Sequence, residues 1–126
     1  MLRTAIASIS AITILLGLVA CAPSLTPATA PTVSVAEDTI VIDVRSSEEY
    51  ATGHLEGSLL LDLNSGDLAN ALPTLDPDVE YLVYCRSGNR AGQAAALMEQ
   101  AGISDVTNLG SVEDAAAATG LPITTR

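Results

Sequence analysis

The fold is decided by the segment Tyr81-Leu82-Val83-Tyr84-Cys85-Arg86-Ser87-Gly88-Asn89-Arg90, in which an apolar run leads through a short polar loop into a helix. The run before Cys85 has the composition and length of a buried strand. From Ala91 to Ala101 the apolar side chains recur at helical spacing, and Gly102 ends that pattern. The segment therefore predicts a strand, a loop and a helix, with Cys85 at the carboxyl end of the strand.

The same alternation of strand and helix precedes this segment. The run Thr39-Ile40-Val41-Ile42 predicts a strand that is covered on both faces. Ser46 and Glu49 then predict a capping box for a short helix that ends at Gly53. Strands that alternate with helices predict an α/β fold, in which a parallel sheet is sandwiched between helices.

Weaker patterns predict the remaining elements. They are a strand over 59–61, a short helix over 68–72 before Pro73, a brief strand at Val106-Thr107, and a helix that is capped by Ser111 and Asp114 and ends at Gly120.

Residues 1–21 have the composition of an export signal. Arg3 is followed by an uncharged run from Thr4 to Ala20, which is shorter than a membrane-spanning helix. The run ends in Leu18-Val19-Ala20-Cys21, which resembles the lipobox of bacterial lipoproteins, where the cysteine is lipidated. We predict a signal peptide over 1–20 and a lipidated Cys21 that anchors an exported protein to the cell envelope. The alternative is an uncleaved anchor in which Cys21 has no role.

The following stretch predicts a tether. Residues 22–36 carry Pro23, Pro27 and Pro31 among Ser, Thr and Ala, with no charged side chain. Such a composition cannot bury a core and is typical of an extended linker. We therefore predict a lipidated, flexible segment over 21–36 and a single folded domain over 37–126.

The charge balance excludes several classes of partner. The chain has 15 acidic residues against five arginines and no lysine, which gives a net charge of −10. A nucleic-acid interface or a polybasic membrane surface needs far more positive charge than this. Two of the five arginines, Arg86 and Arg90, nevertheless lie within the short loop after Cys85. This loop is therefore the predicted site for a small anion.

Cys85 has the surroundings of a reactive thiol. If Cys21 is lipidated, Cys85 is the only free thiol of the mature chain. Backbone N–H groups and the dipole at a helix start favour a negatively charged sulfur, and nearby arginines add to that effect. These features predict a nucleophilic thiolate, although a buried, inert cysteine in an ordinary turn is the alternative.

Several ordered motifs resemble those of rhodanese-like domains. The stretch from Asp43 to Ser58 resembles the N-terminal motif of the family, and Tyr84-Cys85-Arg86-Ser87-Gly88-Asn89-Arg90-Ala91 resembles its active-site loop. Asn108-Leu109-Gly110-Ser111 and Gly120-Leu121-Pro122-Ile123 resemble the segments that close the domain. The sequence departs from the family where Gly110-Ser111 replaces paired glycines and where Val112–Thr119 lacks a large aromatic residue.

The resemblance implies a single rhodanese-like domain that acts as a sulfurtransferase. Cys85 would take a sulfane sulfur from thiosulfate or a related donor, carry it as a persulfide and pass it to a thiophilic acceptor. The amides from Arg86 through Ser87, Gly88 and Asn89 to Arg90 would surround the persulfide, and the two guanidinium groups would hold the sulfonate of the donor. We expect a monomer that uses no metal or cofactor.

The other polar residues of the motifs are interpreted as structural support. Asp43 and Arg45 follow the first strand, and the spacing of Arg45 and Glu49 predicts an ion pair between them. We expect His54 to fix a loop, with general-base catalysis as the alternative. Ser87 either donates to the persulfide or caps the next helix.

Two other classes of function are consistent with a cysteine loop. In phosphatases and arsenate-reductase-like enzymes five residues separate the cysteine from the closing arginine, whereas four separate Cys85 from Arg90 and Ala91 follows. This spacing disfavours the phosphatase class. A non-catalytic thiol sensor or sulfur-binding module at the envelope is the other alternative.

Overall fold

A computed structural model describes residues 32–126. The predicted signal peptide, the predicted lipidation site at Cys21 and most of the predicted tether lie outside the described residues. Within residues 32–126, no helix is both long enough and apolar enough to cross a membrane.

The centre of the domain is a four-stranded parallel sheet with the strand order β3-β1-β4-β5. Its strands are β1 (Ile40–Asp43), β3 (Leu59–Leu60), β4 (Tyr81–Cys85) and β5 (Val106–Ser111). Because β4 lies between β1 and β5, its carboxyl end is bordered by the segments that follow both neighbours. The predicted parallel sheet is confirmed.

Four helices connect the strands. They are α1 (Ser47–Thr52), α2 (Asp67–Ala71), α3 (Asn89–Gln100) and α4 (Val112–Thr119), and a 3₁₀ turn at Leu72–Thr74 follows α2. Both predicted capping boxes are present, since Ser46 and Ser111 each accept the backbone N–H three residues on.

Alternate residues of the strands face opposite sides of the sheet and form two aliphatic cores. The first core lies against α2 and α3 and includes Ile42, Val83, Leu68, Ala94 and Met98. The second lies against α4 and includes Val41, Leu82, Tyr84, Val112 and Ala115. Cys85 belongs to the first core, so its side chain faces α3.

Two features of the secondary structure differ from the sequence-based expectations. Strand β5 extends to Ser111 rather than ending at Thr107, and β2 (His54–Leu55) pairs with β6 (Ile123–Thr124) in a small antiparallel sheet that was not predicted. Residues of low strand propensity, such as Asn108 and Gly110, hide the end of β5 from a composition-based prediction. Two-residue strands are too short to show alternation.

The packed region also begins before the predicted boundary at residue 37. Val33 donates its backbone N–H to the carbonyl of Ala118 at 3.0 Å. Val33 and Val35 pack against the second core. The last residues of the predicted tether are therefore held on the surface of α4.

Candidate active site

Cys85 lies at the carboxyl end of β4 with no exposed surface. The Gly88 N–H donates to its Sγ at 2.9 Å. Burial alone would raise the pKa of the Cys85 thiol, but the backbone N–H groups of Ala91, Ser87, Gly88 and Arg90 together lower the pKa below its usual value. The loop therefore stabilises the thiolate, which is the nucleophilic form of the sulfur.

Gly88 gives the loop its shape. It occupies the N-cap position of α3 with φ of 93°, in the left-handed region that favours glycine. Gly88 itself has no side chain to cap α3, but the Ser87 Oγ accepts the N–H of Asn89, the first residue of α3, at 3.5 Å. The two alternative roles of Ser87 both stay predictions. Ser87 and Asn89 are both exposed.

Asn108 connects the loop to β5, and its side chain was not predicted to take part in the site. Its Nδ2 donates to the Gly88 carbonyl at 2.9 Å, while its Oδ1 accepts the Gly110 N–H at 2.9 Å. A Cβ on Gly88 would lie 3.2 Å from Cα of Gly110, so the two backbones are in direct contact. A polar side chain near the end of a strand beside β4 is the signal that could have identified Asn108.

Arg90 forms an ion pair that its position in the sequence does not reveal. Its Nη1 and Nη2 each donate at 2.8 Å to the carboxylate of Glu49. The hydrogen bond from Arg90 is the main reason that the pKa of Glu49 falls to about 2. The predicted ion pair between Arg45 and Glu49 is therefore wrong, because Glu49 is engaged by an arginine 41 residues away.

Arg86 is the other guanidinium group of the loop. Its side chain is exposed, and within residues 32–126 it has no hydrogen-bond or ion-pair partner. Arg86 is thus available to an anion that approaches Cys85. The proposed contact between Arg90 and a donor's sulfonate stays a prediction.

Arg45 is paired with Asp43 instead of Glu49. The guanidinium Nη2 donates to Asp43 Oδ2 at 2.7 Å and to the Gly53 carbonyl at 2.6 Å, and both charged side chains are buried. Ser46 is the extended N-cap of α1, so Arg45 precedes the helix and the i,i+4 geometry does not apply to it. The pair joins the end of β1 to the end of α1.

Tyr84 supports the same region from the neighbouring strand. Its ring lies under the Arg45 guanidinium at 5.7 Å, and its hydroxyl accepts the Leu55 N–H at 3.0 Å. Burial raises the pKa of Tyr84 to about 12. The phenol therefore stays neutral and links β4 to β2.

His54 is the first residue of β2 and directly follows Gly53, which ends α1. Its ring stacks on Tyr50 with a centroid separation of 3.6 Å, and its nitrogens lie 2.8 and 3.0 Å from the carbonyl oxygens of Tyr50 and Arg126. These contacts connect α1 to Arg126, two residues after β6, and involve none of the residues of the cysteine loop. They are the contacts of a loop-fixing residue.

The predicted loop surrounds the sulfur, and of the predicted support residues Glu49 contacts the loop directly through Arg90. Within residues 32–126, no group of three His, Cys, Asp or Glu side chains could hold a metal ion. The arrangement can stabilise a thiolate, or a sulfur chain that bears the same negative charge, through convergent backbone N–H groups.

Comparisons with known proteins agree with this geometry. The family model described as rhodanese-like domain matches residues 32–117. Thiosulfate sulfurtransferase GlpE of Pseudomonas entomophila is 36% identical over 74 residues, which cover 59% of this chain and 66% of the relative. Thiosulfate sulfurtransferase PspE of Escherichia coli is 34% identical over 77 residues, which cover 60% and 72%. The match thus spans just under two thirds of the length of the GlpE relative.

Solved structures show the same fold. A structure described as rhodanese with anions from E. coli has a TM-score of 0.57 and 29% identity, and the match covers 70% of this chain and 99% of that one. The rhodanese-like domain of the Anabaena protein Alr3790 has a TM-score of 0.59 and 26% identity, with coverage of 68% and 98%. The chain therefore belongs to the rhodanese-like domain family and is a homologue of the single-domain thiosulfate sulfurtransferases.

Proposed function

We propose that the protein is a sulfurtransferase, which moves a sulfane sulfur from thiosulfate or a related donor to a thiophilic acceptor through a persulfide on Cys85. The observation that carries this proposal is the hydrogen bond of 2.9 Å from the Gly88 N–H to the buried Cys85 sulfur. A sulfur held in this way is stabilised as an anion without a neighbouring base. Homology to enzymes named as thiosulfate sulfurtransferases supports the reaction class.

The first half of the reaction forms the persulfide. The Cys85 thiolate attacks the outer sulfur of thiosulfate and forms a new S–S bond. The S–S bond of the donor breaks, and sulfite leaves with the bonding electron pair. The terminal sulfur then carries the negative charge, which the N–H groups of the loop stabilise.

The second half regenerates the enzyme. A thiol acceptor attacks the terminal sulfur of the persulfide and forms its own persulfide, while Cys85 leaves as the thiolate. Because the same N–H groups stabilise Cys85 before and after each step, one loop serves both halves of a ping-pong cycle.

Intact-mass spectrometry tests the proposal. After treatment with thiosulfate, the wild-type protein should gain the mass of one sulfur atom, and a thiol acceptor should remove it. Cys85→Ser should gain nothing and show no turnover. A stable adduct that resists the acceptor would favour the thiol-sensor alternative, and turnover by Cys85→Ser would exclude Cys85 as the sulfur carrier.

We also propose that the protein works at the cell envelope on a lipid anchor at Cys21. The uncharged run after Arg3 and its ending in Leu18-Val19-Ala20-Cys21 support this proposal. In a bacterial host, the wild-type protein should appear in the membrane fraction with a diacylglyceryl group on Cys21. Cys21→Ala should lack the lipid, and an unmodified wild-type Cys21 would contradict the proposal.

A further inference from the structure

The ion pair of Arg90 changes the charge that the cysteine loop presents to a donor. Both terminal nitrogens of Arg90 donate at 2.8 Å to the Glu49 carboxylate. Asp62 also lies near enough to Arg90 to act on it electrostatically. Arg86, by contrast, has no such partner within residues 32–126. One of the two positive charges of the loop is therefore compensated before any donor binds.

We infer that Glu49 is a specificity-determining residue. By compensating the charge of Arg90, it weakens the binding of doubly charged sulfur donors more than that of singly charged ones. The inference rests on the proposed sulfurtransferase function and adds the charge class of the donor. The Glu49 charge would therefore raise the ratio of kcat/KM for a singly charged alkyl persulfide to kcat/KM for dianionic thiosulfate. Glu49 acts through Arg90, so it is not a catalytic residue.

The physical reason is the proportionality of Coulomb energy to charge. A donor must approach a thiolate, and each of its negative charges interacts with every charge around the loop. Removing the charge of Glu49 therefore changes the free energy of interaction between the loop and a dianion twice as much as that between the loop and a monoanion. The fold-change for a monoanion is then the square root of the fold-change for thiosulfate.

The two donors share one chemistry, so their comparison isolates charge. With an alkyl persulfide, the Cys85 thiolate attacks the outer sulfur, the S–S bond of the donor breaks, and an alkanethiolate leaves with the electron pair. With thiosulfate, sulfite leaves in the same way. Both reactions deliver one sulfur atom to Cys85 and need no oxidant or reductant.

Glu49→Gln removes the charge while keeping the local structure. Glu49 completes the capping box of α1 by accepting the Ser46 N–H at 3.1 Å, and glutamine serves equally well at that position. The amide oxygen can also accept a hydrogen bond from Arg90. Glu48→Gln is the matched control, because Glu48 is an exposed neighbour that is not bonded to Arg90.

The experiment compares kcat/KM for thiosulfate and 2-hydroxyethyl persulfide at low ionic strength. For Glu49→Gln we expect a gain of about three- to tenfold with thiosulfate, mainly through KM, and about two- to threefold with the persulfide. Added salt should reduce both gains. Glu48→Gln should change the ratio of the two donors much less.

Equal changes with both donors, or a loss of kcat with both, would overturn the inference and leave Glu49 a purely structural role. The inference would also be overturned if kcat/KM for thiosulfate still exceeded the wild-type value in the double variant Glu49→Gln/Arg90→Gln, where Arg90 has no charge left to compensate. If Glu49→Gln does not fold, Arg90→Gln alone must shift the donor ratio toward the persulfide. Absence of any persulfide on wild-type Cys85 refutes the proposed function instead, whereas transfer with an unchanged donor ratio refutes only the inference.

Discussion

At the scale of single residues, Cys85 combines two properties that usually oppose each other. Its side chain is completely buried, which favours the neutral thiol, yet the loop lowers its pKa. The stabilising groups are backbone N–H donors rather than an adjacent histidine, since His54 contacts Tyr50 and Arg126. The reactivity of Cys85 therefore depends on the position of the backbone.

The pH dependence of alkylation tests this conclusion. Because the pKa of Cys85 is lowered, the thiolate persists at a pH where an ordinary thiol is protonated, and it is lost only as the pH falls through the lowered pKa. The rate of reaction with iodoacetamide should therefore have its midpoint below that of an unstructured cysteine peptide measured in parallel. A midpoint at or above that of the peptide would contradict the role of the backbone donors.

Asn108→Ala tests how the backbone is positioned. The substitution removes the hydrogen bond that holds the Gly88 carbonyl and leaves the Gly110 N–H without its side-chain acceptor. We expect the pKa of Cys85 to rise and the alkylation rate at low pH to fall about two- to fivefold. Thr107→Ala, at an exposed neighbour on β5, is the control and should leave the rate unchanged.

At the scale of elements, the site depends on where helices start. Helix α3 follows the N-cap Gly88, which has no side chain, and the N–H groups of Gly88, Arg90 and Ala91 act on the sulfur. Helices α1 and α4 instead begin with complete capping boxes. Capping residues are local signals, so the sequence predicted the starts of α1 and α4. Helix α3 begins at Asn89, within the predicted loop and two residues before the predicted helical pattern at Ala91.

The cap of α4 provides a stability test. In Ser111→Ala the Asp114 N–H loses its acceptor, and we expect a loss of about 1 kcal/mol in the free energy of unfolding. Urea denaturation measures it. Ser47→Ala is the control, because Ser47 is exposed at the first position of α1 and is not its cap. Equal losses in the two variants would argue against a specific capping effect.

At the scale of the whole molecule, most side-chain contacts between distant segments could not be predicted from the sequence. The parallel sheet, the cysteine loop and the alternation of elements follow from local patterns and were predicted. The pairing of Glu49 with Arg90 and the contact of Asn108 with Gly88 join residues 41 and 20 positions apart. Neither pair has a spacing rule, because the tertiary fold alone brings them together.

The buried pair of Asp43 and Arg45 tests the connection between β1 and the turn after α1. Asp43→Asn keeps the shape of the side chain but leaves the buried Arg45 charge without its carboxylate. Breaking a buried pair in this way costs about 3–5 kcal/mol. The urea midpoint should fall accordingly, whereas the exposed control Asp105→Asn should change the free energy of unfolding by less than about 0.5 kcal/mol. Equal stability of the two variants would contradict this role.

The irregular register of β5 limits which insertions and deletions the domain tolerates. Val83 pairs with Asn108 but Cys85 pairs with Ser111, so β5 carries one more residue than β4 over this interval. That additional residue allows both the contact of Gly110 with Gly88 and the start of α4 opposite the cysteine. Deleting one residue within 108–111 would restore a regular ladder, but it would also shift Gly110 relative to Gly88. Natural variation in length should therefore avoid 108–111 and be found in the connections far from β4.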